Sequence, residues 1–398
     1  MFPNKAILLL VSIFLLLGTT NCNTQPAPAI RGMIHLTEGW KPMLYLVQPR
    51  SFSEITSSFT GLVVDSAKID PDGRFIFAAL PKIETTTLFQ ICIQKAGDRF
   101  PNRLLDADPR LSNYMPVVLQ KSESFEISAE ADRFQASFSI QNPSEANLML
   151  LQLRDIRHKA FAAQSALFLA PVNHSTETNL LEREDALRAF QQPLMDFADS
   201  SSQLWPALVA IRWVSQTSDY ERVAEFMFRQ CEKWRGKMPG NPWAGQLCGM
   251  GSREKLPVLV GDNIPDYPLP MSSGDTVLLH TLIGSRLTIL DIWASWCAPC
   301  RRENQEVLSP LWTRFKGSGL QIVGYSIDAG PVPWKSAIAK DNATWLHASH
   351  LSGDETPFLQ TLRITTIPAN FILDAQGVVI AKNLHGDTLK AFVEEYLK

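Results

Sequence analysis

The chain has 398 residues, 45% of them hydrophobic, with a formal net charge of −3 spread along its length. That is longer than one ordinary domain, so two or three are expected, with the apolar content of a globular protein. No basic run or basic–aromatic interleaving points to nucleic acid, and six cysteines are too few for a disulfide scaffold.

Residues 1–22 read as a signal peptide. Lys5 supplies a thin positive start, and the apolar run 6–18 is too short to span a bilayer comfortably. Cys22 follows after Thr19-Thr20-Asn21 and resembles the lipobox cysteine of bacterial lipoproteins, whose thiol is acylated and becomes the mature N-terminus, although Asn21 stands where Gly or Ala is usual. Cleavage after Ala27-Pro28-Ala29 is the alternative, and either route places the mature chain outside the cytoplasm. Residues 23–29 read as a flexible tether.

Residues 30–141 alternate as short strands at 32–36, 43–47, 61–65, 74–78, 88–94, 116–119 and 125–129. Asp70-Pro71-Asp72-Gly73 predicts a hairpin turn, and the whole predicts an antiparallel β-sandwich. No clustered His, Asp or Glu points to catalysis there, and Cys92 reads as a buried thiol. Residues 142–250 change to helical period and form an α-helical spacer. Ser144 is expected to cap a helix carrying Leu148, Leu150, Leu151, Leu153 and Ile156; a loop at 171–178 and a helix at 182–199, kinked at Pro193, follow. After a helix at 204–216, Ser218-Asp219-Tyr220-Glu221 reads as a capping box opening a helix through Trp234. Met238-Pro239-Gly240-Asn241-Pro242 then breaks into a linker. Cys231 and Cys248 either pair across that turn or stay as two unpaired core cysteines.

Residues 255–398 alternate strand and helix and close with a hairpin, which predicts an α/β unit with a mixed sheet. Strands are expected at 276–279, 287–294, 320–327, 369–373 and 378–382, and helices at 301–316, 333–340 and 356–362, with Asp387 capping the last one through Tyr396. Cys297 and Cys300 stand three apart where an apolar strand turns into a helix. Two cysteines at that spacing can be bridged or opened with little backbone movement, and the positive helix N-terminus favours a thiolate on the first.

Trp293-Ala294-Ser295-Trp296-Cys297-Ala298-Pro299-Cys300, Ile367-Pro368 before the last hairpin, Asp291 six residues before Cys297, and an inserted strand–helix segment between 323 and 362 together resemble the thioredoxin superfamily. The likeness is to TlpA/ResA-like envelope thiol–disulfide oxidoreductases and covers about a third of the chain. The upstream regions resemble the β-rich domain of unknown function and helical spacer often fused to such thioredoxins in envelope lipoproteins. The resemblance implies Cys297 as nucleophile, Cys300 as resolving thiol and Asp291 as a buried acid that exchanges a proton with Cys300. It implies that Trp296 and Pro299 shape the approach to the pair. It also implies a cis Ile367–Pro368 bond whose Ile367 backbone pairs with an extended substrate strand. No cofactor beyond the Cys297–Cys300 disulfide is expected. Implied partners are disulfide-bearing exported proteins, apocytochrome c among the candidates, with a membrane thiol transporter of the CcdA/DsbD kind as electron donor and a lipid-anchored location. Ala298-Pro299 between the cysteines goes in that family with a reductase.

Other chemistries fit less well. A c-type haem site needs His where Arg301 stands, and a zinc site needs two further ligands. A peroxiredoxin-type peroxidase would carry Thr or Ser where Ala294 is. His347 and His350 read as ordinary histidines, and Arg301, Arg302 and Glu303 as a solvated helix face. The rival from another class is a lipid-anchored binding or assembly protein whose thioredoxin domain mainly recruits clients.

Overall fold

Alternating apolar residues upstream and near-continuous apolar runs downstream give two kinds of sheet. The structure, a computed structural model, describes residues 29–77, 80–121, 123–169, 179–217 and 219–398. Cys22, the tether up to residue 28, the loop at 171–178 and Ser218 lie outside them.

The upstream strands are β1 (Ile30–His35), β2 (Trp40–Gln48), β3 (Leu62–Lys68), β4 (Arg74–Phe77), β5 (Thr87–Lys95), β6 (Tyr114–Leu119), β7 (Phe125–Glu130) and β8 (Ser139–Ile140). They form two four-stranded sheets, ordered β4-β1-β7-β8 and β3-β2-β5-β6. Two details depart from an antiparallel meander. β1 runs parallel to β7, and the turn at Asp70 joins β3 to β4 across the two sheets rather than within a hairpin ladder. The turn itself closes locally: Gly73, at φ 83°, donates to the Asp70 carbonyl at 2.9 Å, as a residue free of a Cβ can. β4 pairs with β1 because Phe75 and Phe77 must face the core.

The helices are α1 (Phe134–Ser137), α2 (Glu145–Phe168), α3 (Asn179–Ser200, with Pro193 inside), α4 (Leu204–Val214), α5 (Ala224–Lys237) and α6 (Pro242–Gly251). Their buried residues and those of both sheets make one apolar cluster running from Ile30 to Leu259. Nearly every residue of α4 is buried in it. Polar ties cross the same boundary: Asn147 pairs with both backbone groups of Val118 at 2.8 Å, and buried Arg157 meets Asp106 at 2.8 Å. Ser144 precedes α2 without capping it; its hydroxyl accepts from Asn147 instead.

α6 occupies the expected linker. Asn241 accepts from the Trp243 and Ala244 amides, and Pro242 fits the first turn, so the breaker also starts a helix. Cys231 and Cys248 form a disulfide between α5 and α6, and Cys92 is free and buried, which pushes its thiol pKa up.

Downstream, β9 (Pro268–Pro270) and β10 (Thr276–Leu278) form a small hairpin. There follow β11 (Leu287–Trp293), α7 (Ala298–Glu303), α8 (Ser309–Phe315), β12 (Leu320–Ser326), α9 (Pro331–Lys340), β13 (Leu346–Ala348), α10 (Pro357–Leu362), β14 (Ala369–Asp374), β15 (Val379–Lys382) and α11 (Gly386–Tyr396). The sheet order is β13-β12-β11-β14-β15, with β11, β12 and β13 parallel and β14 and β15 antiparallel to their neighbours. Its two faces are covered by separate apolar clusters.

The single helix expected at 301–316 is interrupted. A π-turn at Asn304–Leu308 separates α7 from α8, because Pro310 has no N–H to offer the carbonyl one turn back. α11 starts at Gly386 after His385, with Asp387 inside its first turn and paired to Lys390 rather than capping.

Candidate active site

β11 is buried along its whole length and lies in the middle of its sheet, so its C-terminal end delivers the following residues to a fixed point. Cys297 is the N-cap of α7, and its Sγ accepts the Cys300 N–H at 3.3 Å. That donor and the helix dipole both favour negative charge on this sulfur. The two sulfurs are bonded to each other. In this oxidised form Cys297 is 6% exposed and Cys300 2%, so neither stands open at the surface. Both belong to the apolar cluster that also holds Ile292, Trp293 and Ile364. Trp296, 62% exposed, stands beside the pair. Pro299 lies buried in the first turn of α7.

The approach loop is anchored from the side. Buried Asp328, just beyond β12, accepts the Ser295 N–H at 2.9 Å and the Ser295 and Ser326 hydroxyls at 2.5 and 2.6 Å. Arg301 is not a solvated face residue. It forms a forked pair with the buried Asp341 carboxylate and donates to the Ser295 carbonyl at 3.3 Å, which holds α7 to the end of α9.

Ile367–Pro368 is a cis peptide. Ala369 is the register partner of Ile292, which sets the prolyl loop opposite the end of β11, where the dithiol loop begins. Ile367 packs on the cluster that contains both cysteines. The geometry thus brings together Cys297, Cys300, Ile367 and Pro368.

Asp291 faces the interior from the middle of β11, between Gly324 of β12 and Asn370 of β14. At 4% exposure its carboxyl is held well above the usual carboxylate range, first by burial and then by the charge of Glu303. Glu303 is itself buried; its two oxygens accept the Gly386 N–H at 3.2 Å, and His385 Nδ1 lies 3.8 Å away. The sequence reading placed Glu303 in solvent. The missed signal was its position three residues after Cys300, on the same inward face of the helix. His347 is a core residue whose Nε2–H donates to the Ala343 carbonyl at 2.9 Å, and His350 meets the Tyr325 hydroxyl at 2.6 Å. Among the described residues no group of three His, Cys, Asp or Glu could hold a metal ion, and no helix is long and apolar enough to cross a membrane.

The same stretch of chain is similar to known proteins. Residues 260–382 match the AhpC/TSA family. The thiol–disulfide oxidoreductase ResA of Geobacillus kaustophilus is 23% identical over 145 residues, 36% of this chain and 80% of that one. The thiol:disulfide interchange protein DsbE of Xylella fastidiosa is 26% identical over 129 residues, 30% of this chain and 59% of that one. Among solved structures, the thioredoxin domain of a Bacteroides vulgatus thiol–disulfide oxidoreductase is 28% identical, covering 35% of this chain and 99% of that one at a TM-score of 0.33. The C-terminal third of the chain is thus a thioredoxin-like domain that matches the AhpC/TSA family description over residues 260–382 and is similar to the ResA and DsbE thiol–disulfide oxidoreductases.

Proposed function

We propose that the protein is an envelope-anchored thiol–disulfide oxidoreductase that reduces disulfides of exported client proteins. The observation that carries this reading is the Cys297–Cys300 pair at the head of α7 beside the cis Ile367–Pro368 bond. In the reduced protein the Cys297 thiolate attacks one sulfur of a client disulfide, forming a mixed disulfide and releasing one client thiolate. The Cys300 thiolate then attacks the Cys297 sulfur, which closes the Cys297–Cys300 bond and releases the second client thiolate. Two electrons pass to the client. Asp291, with its raised pKa, takes the Cys300 proton as that sulfur becomes a nucleophile.

Trp296 forms the client-facing rim, buried Pro299 shapes the turn beneath it, and the Ile367 backbone pairs with the client strand. The step needs no cofactor beyond the two sulfurs. A membrane thiol transporter of the CcdA/DsbD kind returns the electrons, and an acylated Cys22 holds the protein at the membrane. Apocytochrome c is one client class with the required exported disulfide.

The test is insulin reduction with dithiothreitol as electron source. Wild type accelerates it and Cys297→Ala does not; equal rates would leave the protein as a binding module. A reduction potential near about −270 mV supports the reductase direction, and one near about −120 mV overturns it. Mass spectrometry of the mature N-terminus decides the anchor: acylated Cys22 supports it, and an unmodified chain beginning at Ile30 removes it.

A further inference from the structure

The loop that precedes the cis-proline is held from outside its own domain. The turn Glu221–Val223 leads into α5 and belongs to the helical region, yet its side chains reach across to residues 365–368. Glu221 Oε2 accepts the Thr365 N–H and hydroxyl, both at 2.8 Å, and its Oε1 accepts the Thr366 N–H at 3.2 Å. Arg222 donates to the Pro368 carbonyl at 2.7 Å and to Asn383 Oδ1 at 2.8 Å, and its Nε lies 3.4 Å from Glu184 of α3. One turn on, Glu225 pairs with Lys382 at 2.8 Å and accepts the Val260 N–H at 3.1 Å.

These contacts divide the backbone of the loop in two. The amides of Thr365 and Thr366 and the carbonyl of Pro368 are occupied. Ile367, between them, has neither its N–H nor its carbonyl bonded among the described residues. An extended polypeptide adding to this edge could otherwise pair in several registers, and a one-residue slip would turn its cysteine to the wrong face. With the neighbouring groups filled, only the Ile367 register is left.

We propose that Glu221 and Arg222 are positioning residues for client docking: from the helical region they cap the groups on either side of Ile367 and so fix the register in which a client strand meets Cys297. This rests on the reading that clients pair with the Ile367 backbone. It gives the upstream half of the chain a direct part in the exchange reaction, because the clamp is built on the core that runs from Ile30 to Leu259.

The experiment uses the full mature chain, insulin as the probe and dithiothreitol as reductant. Glu221→Ala and Arg222→Ala each raise KM for insulin about tenfold, the loss of one or two charge-assisted hydrogen bonds, while kcat changes by less than about twofold. Glu221→Gln, which keeps one acceptor oxygen, gives an intermediate KM. Unchanged KM, or a loss confined to kcat, overturns the proposal. Amide hydrogen exchange on the wild-type protein reads the clamp without any variant: Thr365 and Thr366 are protected and Ile367 exchanges fast, and equal exchange at all three overturns it. If wild type fails to reduce insulin or Cys297→Ala keeps the rate, the enzymatic reading fails instead, and the exchange pattern still reports on the clamp.

Discussion

Asp291 and Glu303 bury two interacting carboxyl groups in one domain interior, one from the middle of β11 and one from the end of α7. The strand supplies the first and the helix the second, so neither can leave without unfolding its element. Burial and the charge of Glu303 hold the Asp291 carboxyl above the usual carboxylate range, which brings it closer to the thiol whose proton it would accept.

Asp291→Asn therefore changes how stability depends on pH. The folded pKa lies well above the ordinary 3.8, so the native state holds an extra proton between those two values. The stabilisation is complete below the ordinary value and is lost as pH rises through the folded one, at up to about 1.4 kcal/mol per pH unit. Urea unfolding from pH 3.5 to 8 should show wild type losing ground to Asp291→Asn as pH rises. Parallel curves for the two proteins would mean that Asp291 titrates as it does in the unfolded chain.

Glu303→Gln removes the neighbouring charge and leaves the burial. The Asp291 pKa then falls part of the way back, because burial is its larger cause. If Asp291 accepts the Cys300 proton, the acid limb of the pH–rate profile for insulin reduction moves to lower pH in this variant. A limb that stays in place, or moves up, excludes Asp291 as that base.

The legible parts of the molecule are those written locally. The strand–turn–helix around Cys297 and the Ile367-Pro368 pair each lie within one short stretch, so their types and places could be read directly. Glu303 could not be placed that way, since its burial depends on Gly386 and His385, more than eighty residues on. Glu221 shows the same failure. Its spacing after Ser218 fits a local capping box, but its carboxylate goes to Thr365 and Thr366, and α5 begins only at Ala224. Asn241-Pro242 failed for a different reason, because a residue pair that stops one helix is also the pair that starts the next.

Gly324→Ala tests the packing around the site. A Cβ at Gly324 would stand 2.9 Å from His347 Nδ1 and 3.2 Å from Trp293 Nε1, both on rings held by the core. Overpacking of this kind costs about 1–3 kcal/mol, and here it pushes on Trp293, four residues before Cys297. Thermal unfolding should show the loss, and Gly324→Ala at wild-type stability would show that His347 has room to move.

The second disulfide, Cys231–Cys248, lies between α5 and α6 of the helical region and should act on stability alone. It closes a loop of 17 residues between α5 and α6, and Cys231 is fully buried. Cross-linking a loop of that length stabilises by about 3 kcal/mol, mainly by restricting the unfolded chain. The double variant Cys231→Ala, Cys248→Ala should lose about that much in urea unfolding, less whatever the small cavity at Cys231 adds or removes. Insulin reduction by the folded fraction should persist, since Cys297 and Cys300 are untouched. The test also separates the two sulfur pairs under reducing conditions. Wild type exposed to dithiothreitol that opens Cys231–Cys248 should fall to the stability of the double variant, and the double variant should show no comparable loss. If dithiothreitol destabilises both proteins equally, the change comes from opening Cys297–Cys300, and the bond between α5 and α6 contributes little to holding the helical region together.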